Sequence, residues 1–428
     1  MRTTFRSLAS FNYRVWAAGA LVSNIGTWMQ RTAQDWIVLT QLTQHDATAV
    51  GIVMSLQFGP QFLLLPLTGY AADRLDRRRM LVLTQSVMGL LALGLGILTL
   101  AGVVHLWHVY LFAFLLGCTT AFDSPTRQSF VAELVGDEHL SNAVALNSTS
   151  FNAARLVGPA VAGVLIALIG SGWVFVLNAV SFAAVLGALA MLRPAQFHGR
   201  LTRAGKHSGL ADGMRHVWGQ PDLRAVLLMF FLIGTFGMNF PIYISTMAVS
   251  VFHVGAGEFG LLTSSMALGS VTGALLAAGR EKPRMMLLAV ASLAFGVALT
   301  IAAMMPSYRF FAVALFFVGL STQTFTTTAH SAAQLWSDPF LRGRVIALVM
   351  AVSAGSTPLG APLIGVLANT FGPRWAMVAG ASSGFLAAVV GVLALARRRR
   401  MGRTRRDGLA GDVRKAASLD SQPGDRIP

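Results

Sequence analysis

One stretch of this chain occurs twice. Residues Phe114 to Ser181 recur without gaps about 202 positions later. The shift aligns Phe114 with Phe316, Gly117 with Gly319, Gly158 with Gly360, Gly163 with Gly365, Gly170 with Gly372, Trp173 with Trp375 and Ser181 with Ser383. Leucines and alanines coincide easily in an apolar chain, but glycines, a tryptophan and a serine in one register point to duplication. The fold must therefore be built from two copies of one unit. In a membrane protein, two such halves imply a substrate path between them that opens to alternate sides as one half rocks on the other.

The composition places both copies in a bilayer. Of 428 residues, 54% are hydrophobic and only 12% are charged, too little polar surface for a water-soluble domain. Apolar stretches of about 20 residues, the length that crosses a hydrocarbon core, follow one another with short breaks. The first half gives Val15 to Thr40, Thr48 to Ala71, Met80 to Ala101, Leu106 to Phe122, Ala143 to Ile169 and Trp173 to Leu192. The second gives Leu223 to Val249, Phe259 to Ala278, Met285 to Met305, Phe310 to Thr328, Val345 to Thr370 and Trp375 to Ala396. The expected fold is an all-α membrane protein of about twelve transmembrane helices, in two six-helix halves with pseudo-two-fold symmetry. Residues 1–192 and 223–396 form the bundles, 193–222 a cytoplasmic linker, and 397–428 a disordered basic cytoplasmic tail. Within the linker, Leu210, Met214, Val217 and Trp218 recur at helical spacing opposite Asp212, Arg215 and His216, which predicts a short interfacial helix.

A formal net charge of +16 would suggest nucleic acid in a soluble protein. Its distribution argues otherwise. Of the 33 Lys and Arg, only Arg309 and Arg374 face outward in this threading, and Arg31 and Arg155 lie within spans. The remainder gather on one side, which by the positive-inside rule is the cytoplasm and takes both termini there, in a cell (inner) membrane. The partners implied are a lipid bilayer and no nucleic acid, with the basic tail on anionic lipid at about 1 kcal/mol per Lys or Arg. The first span follows three arginines but is too long for a signal-peptide core, carries Arg31 and Asp35 and shows no clear cleavage site, so it reads as a retained helix. A single cysteine, Cys118, excludes an internal disulfide and a cysteine-clustered metal site, and no metal or cofactor is expected.

The first span has an unusually polar face: Ser23, Asn24, Thr27, Gln30, Arg31, Gln34 and Asp35 form adjoining stripes opposite Val22, Ile25, Met29, Ala33 and Ile37. That stripe should line a cavity, because charges in a bilayer face water or one another and mark substrate or ion paths. Arg31 and Asp35, four apart, can pair along the helix. Asp35 then either carries protons or forms a structural or gating ion pair. Arg155 lies roughly 18 Å into the fifth span, near the midplane. It serves a substrate or coupling role, or else packs helices through carbonyl bonds. Its repeat counterpart is Thr357, so the scaffold does not require the charge. Gln57 and Gln61 flank Gly59-Pro60, and Asn239 precedes Pro241. These prolines loosen two helices, and the three amides complete a predicted substrate cavity of Asn24, Gln30, Gln34, Gln57, Gln61, Arg155 and Asn239. Trp28, Phe58, Phe62, Phe236 and Phe240 contact an aromatic substrate or pack the core.

Between the second and third spans, Gly69-Tyr-Ala-Ala-Asp73-Arg74-Leu-Asp76-Arg77-Arg78 resembles the loop signature of the major facilitator superfamily, with Asp76 where the signature has its second glycine. The resemblance makes Gly69, Asp73, Arg74, Arg77 and Arg78 part of a cytoplasmic gate, with Asp123 as the acid at the end of the fourth helix. Arg155-Leu-Val-Gly158-Pro159-Ala-Val-Ala-Gly163 is similar to the proline-glycine motif of the superfamily's antiporters. Asn24-Ile-Gly-Thr-Trp-Met-Gln-Arg31-Thr-Ala-Gln-Asp35-Trp, Ala121-Phe-Asp-Ser-Pro-Thr-Arg-Gln-Ser-Phe, Ala143-Val-Ala-Leu-Asn-Ser and Leu341-Arg-Gly-Arg-Val resemble the bacterial exporter branch, which includes enterobactin exporters and macrolide efflux proteins. The likeness runs from Phe5 to Ala396. It implies a monomeric, proton-driven, alternating-access exporter of a small organic molecule: a drug, siderophore or other secondary metabolite.

No Gly-rich phosphate loop with a lysine is present, so ATP is not the drive. Uptake or facilitated diffusion is the alternative within transport, since no residue encodes direction. An enzyme or assembly factor is the alternative outside it. The nine histidines are scattered, and no His-x-x-x-His or Glu-x-x-His pair sits in a span, which argues against an enzyme.

Overall fold

The structure is a computed structural model and describes residues 5–64, 67–68, 71, 75–198, 210–278, 283–338 and 341–420. These residues form helices and connections, with no strand among them. The first six long helices are α1 (Phe11–Ile37), α2 (Ala47–Leu63), α3 (Arg77–Leu100), α4 (Leu106–Gly136), α5 (Glu138–Ile169) and α6 (Ser171–Met191). The second six are α7 (Pro221–Val251), α8 (Ala256–Ala278), α9 (Met285–Met304), α10 (Tyr308–Leu335), α11 (Arg342–Phe371) and α12 (Pro373–Asp420). Among the described residues, ten of these are long and apolar enough to cross a membrane. The other two are α1, whose polar stripe dilutes its apolar character, and α2, whose described part has 17 residues.

The repeat dictates the packing. In each half the fifth helix lies on the first helix of its own half and on the second helix of the other, so α5 meets α1 and α8 while α11 meets α7 and α2. Its glycines make this possible. A Cβ on Gly158 would lie 2.6 Å from Trp28 Cβ on α1, and one on Gly360 would collide with the Thr235 carbonyl oxygen on α7. Further along, a Cβ on Gly163 would lie 2.5 Å from the Ala256 carbonyl oxygen of α8, and one on Gly365 2.6 Å from Thr48 Cα of α2. Without side chains at these positions the backbones touch, the approach that small residues permit in membranes. The repeat also explains Gly170 and Gly372, which turn α5 into α6 and α11 into α12 at φ 85° and 92°, left-handed values that disfavour other residues.

Among the described residues, the hydrogen bonds seen between the halves lie between the level of Arg155 and the end opposite the arginine-rich loops. Asn369 at the end of α11 donates to Asp46 (2.5 Å) and Thr48 (2.9 Å) and accepts from the Ala47 amide (2.9 Å). Ser55 Oγ donates to the Pro358 carbonyl at 2.8 Å and Ser264 Oγ to the Leu156 carbonyl at 2.7 Å. Trp36 stacks on Phe259 with centroids 5.7 Å apart. The molecule is thus closed at this far end, away from its basic end.

Pro241 breaks α7 as its chemistry demands. The helix passes through a π turn, Ile233–Gly237, before resuming at Phe240. Carbonyls stranded by the break are recaptured by side chains: Asn239 Nδ2 donates to the Thr235 oxygen at 2.8 Å, and the Tyr243 hydroxyl donates to the Phe236 oxygen. The expected linker helix is present at Leu210–Gly219, with Val217 buried while Met214 and Trp218 remain exposed. The last helix differs from expectation. Instead of losing regular structure near residue 397, α12 continues to Asp420.

Candidate functional site

A cavity with about 930 Å³ of empty space, open solvent included, lies between the halves. The first half supplies Trp28, Arg31, Thr32 and Asp35 from α1, Met54, Gln57 and Phe58 from α2, and Arg155 from α5. The second supplies Met238, Phe240, Pro241 and Ile244 from α7, Phe259, Thr263, Met266 and Ala267 from α8, and Thr357 from α11. Repeat partners Arg155 and Thr357 therefore face the same space from opposite walls.

Two guanidinium groups share one indole. Arg31 lies over the Trp28 ring at 5.1 Å and the Phe58 ring at 5.5 Å, and Arg155 over Trp28 at 5.8 Å. Trp28 is fixed between α1 and α5 because Gly158, one turn after Arg155, leaves room for its Cβ. The ion pair expected between Arg31 and Asp35 is not formed. Helical side chains lean toward the N-terminus, so Arg31 reaches back to Trp28 rather than forward to Asp35. Its Nε atom is buried without a hydrogen-bond partner. Asp35 is the sole acid on the cavity wall among the described residues, and none of their Lys or Arg nitrogens lies within 4.0 Å of its oxygens.

Residues 2–406 match the family described as transmembrane secretion effectors. The chain belongs to this family of the major facilitator superfamily. It is 26% identical to the staphyloferrin A transporter of Staphylococcus aureus (81% of this chain, 87% of the relative). It is 27% identical to the multidrug efflux pump Tap of Mycolicibacterium fortuitum (82% and 88%) and 25% identical to the enterobactin exporter EntS of Shigella boydii (84% and 85%). Its fold matches a bacterial homolog of the lysosomal transporter Spinster, solved inward-facing and unoccupied, at TM-score 0.71 with 16% identity (90% and 96% covered). It also matches a D-xylose-proton symporter at TM-score 0.72 with 13% identity (90% and 97%). The protein is a multi-pass membrane transporter, in a family of transporters rather than enzymes.

The superfamily's loop signature can be followed where the chain is described; Gly69, Asp73 and Arg74 lie outside the described residues. Asp76 replaces the signature's glycine and caps α3, accepting from the Arg79 amide at 2.8 Å. Arg77 and Asp123 do not form the expected gate with each other. Arg77 pairs with Glu133 at 2.7 Å, whereas Asp123 is ten residues earlier on α4, roughly 15 Å away along the axis. Asp123 instead accepts from Thr84 (2.8 Å) and Gln85 (2.7 Å) and pairs with Arg127 at 3.0 Å. Arg78 Nε donates to the Leu189 carbonyl that ends α6, at 3.1 Å. Sequence reasoning missed Arg127 and Glu133, though the four-residue spacing of Asp123 and Arg127 was a usable signal.

Of the predicted cavity residues, Gln57 and Arg155 line the space and five others do not. Asn24 accepts from Arg127 at 3.2 Å, two turns toward the basic end. Gln30, rotated about 100° from Arg31, accepts from Asn178 on α6 at 2.5 Å. Gln34 is buried with its amide nitrogen unpartnered. Gln61 donates to the Gln57 carbonyl at 3.2 Å, within its own helix, and Asn239 repairs the α7 break. The polar stripe of α1 is wider than the cavity because its flanks bind neighbouring helices. In the helix 5 motif, Gly158 and Gly163 are packing positions, and the Pro159 carbonyl abuts Gly260 of α8.

Proposed function

We propose that the protein is a secondary active exporter of a small organic molecule, a drug, siderophore or other secondary metabolite, that exchanges it for protons by alternating access. One observation carries this reading: the cavity between the duplicated halves holds two arginines without a carboxylate partner and one carboxylate without a cation partner. The relatives named for siderophore and multidrug transport support the substrate class. The arginines, sharing Trp28, suit an anionic or phenolate-bearing group. The apolar second half suits the rest of an amphipathic substrate. Asp35 is free to bind a proton and release it as the opposite side opens. Arg31 and Arg155 together outnumber the one acid on the wall, so the cavity stays positive even with Asp35 ionised.

In this reading the basic end is cytoplasmic, the membrane is the inner one, and the far-end closure is an inward-facing state. The proposed unit is the monomer that the family resemblance implies. Efflux into inverted membrane vesicles, driven by an imposed proton gradient, tests the proposal. Gradient-dependent uptake of a siderophore or drug should be lost in Asp35→Asn and weakened for anionic substrates in Arg155→Gln. Accumulation that survives gradient collapse would mean a facilitator and would end the coupling role of Asp35.

A further inference from the structure

We propose that the basic end of α7 and α12 carries a binding site for the phosphate of an anionic phospholipid. A second cavity, about 660 Å³ of empty space, opens there between the two helices. Arg224, Arg397 and Arg398 line it, with Asp222 as the sole acid. Asp222 is committed to Arg398 through two contacts of 2.7 Å, and the same guanidinium lies over the Trp336 ring at 4.8 Å. Arg224 and Arg397 have no carboxylate partner among the described residues, so the cavity keeps an uncompensated positive charge. The first turn of α7 adds to it: Gln220 at the N-cap accepts no side-chain bond, and the amide end of a helix favours anions.

What distinguishes a lipid from a free anion is the next turn of each helix. Leu228 follows Arg224 by four residues, and Leu393 precedes Arg397 by four. Both leucines line the same cavity and are exposed, 45% and 63%. One helical step therefore leads from charge to apolar surface at the level where the spans end, the profile of a headgroup over its acyl chains. The scaffold does not impose this opening. At the matching end of the first half, Asn12 and Arg193 exchange backbone-directed bonds of 3.0 and 2.9 Å, and the Arg193 guanidinium covers Phe11 at 4.2 Å.

Native mass spectrometry of the full chain in detergent tests the site without a transport readout, so its outcome is independent of the exporter reading. The wild-type chain should retain phosphatidylglycerol in preference to phosphatidylcholine, and millimolar inorganic phosphate should not displace it. The double variant Arg224→Gln/Arg397→Gln should bind phosphatidylglycerol about tenfold or more weakly. Arg224→Lys/Arg397→Lys should keep most of the binding, and Arg309→Gln at the far end should leave it unchanged. Both replaced side chains are exposed, so the variants should melt like the wild type. Equal retention by the double glutamine variant, an equal loss in Arg309→Gln, or displacement by inorganic phosphate would each overturn the proposal.

Discussion

The two walls of the central cavity rest on equivalent backbones and carry opposite chemistry. Position 155 in the first half is arginine and position 357 in the second is threonine, yet both face the same space. Around Arg155 stand Trp28, Arg31, Asp35 and Gln57; on Thr357's wall, α7 and α8 offer Met238, Ile244, Phe259 and Met266. The halves also differ in how the first helix of each is built. Helix α1 stays regular until a π turn at Val38–Leu42, whereas α7 is interrupted in its middle beside Pro241. Duplication thus fixes where a side chain points and leaves what it is free to change. Charge accumulated on the regular wall and a backbone break on the apolar one.

The sharpest way to break this comparison is to give the first wall the second wall's residue. Arg155→Thr should lower the efficiency of transport of an anionic substrate about tenfold or more, the scale of a lost charge-assisted contact, with little change in thermal melting. Adding Thr357→Arg to that variant should not restore transport, because an arginine there lacks the Trp28 face; recovery would mean the two walls are interchangeable. Next come the packing glycines. Overpacking costs about 1–3 kcal/mol, and Gly360→Ala should sit at the upper end, since it strikes the backbone oxygen of Thr235. Gly158→Ala, which meets the Trp28 side chain, should cost less. Melting in detergent would rank them, and equal shifts would contradict the contrast.

Smaller effects probe the ends and the break. Asn239→Ala should destabilise by about 1 kcal/mol, the net worth of one satisfied carbonyl, with no counterpart needed in unbroken α1. Of the ion pairs that tie each half at its basic end, Arg77–Glu133 is nearly buried, with side chains 14% and 15% exposed. Arg398–Asp222 is open, at 39% and 32%. Arg77→Gln should therefore lower the melting temperature measurably, while Arg398→Gln should cost a few tenths of a kcal/mol and fade with added salt.

Much of the architecture could be read from residues because the determinants are periodic. Glycines in register announced the helix crossings, and apolar runs announced the spans. The equivalence of Arg155 and Thr357 needed only the repeat. Partner choice was another matter. The lean of helical side chains sent Arg31 to Trp28, and an axial separation kept Arg77 from Asp123. The width of the polar face on α1 overstated the cavity, since a glutamine bound to Asn178 looks the same in sequence as one facing a substrate. Apart from Phe240, the second wall stayed hidden because Met238, Ile244 and Met266 are indistinguishable from core in an apolar chain.

The far-end closure has a consequence for how turnover can be dissected. Its contacts among the described residues are hydroxyls on carbonyls, an amide on Asp46, stacked rings and bare glycines, and none of these contacts uses a Lys or Arg side chain. Dissolved ions, which screen charges beyond about 8 Å at physiological strength, have almost nothing there to weaken. In a cycle of the proposed kind, ionic strength therefore acts as a label: any half-reaction that responds to salt belongs to the arginine-bearing side, and the step that ignores it is the parting of the outer helices.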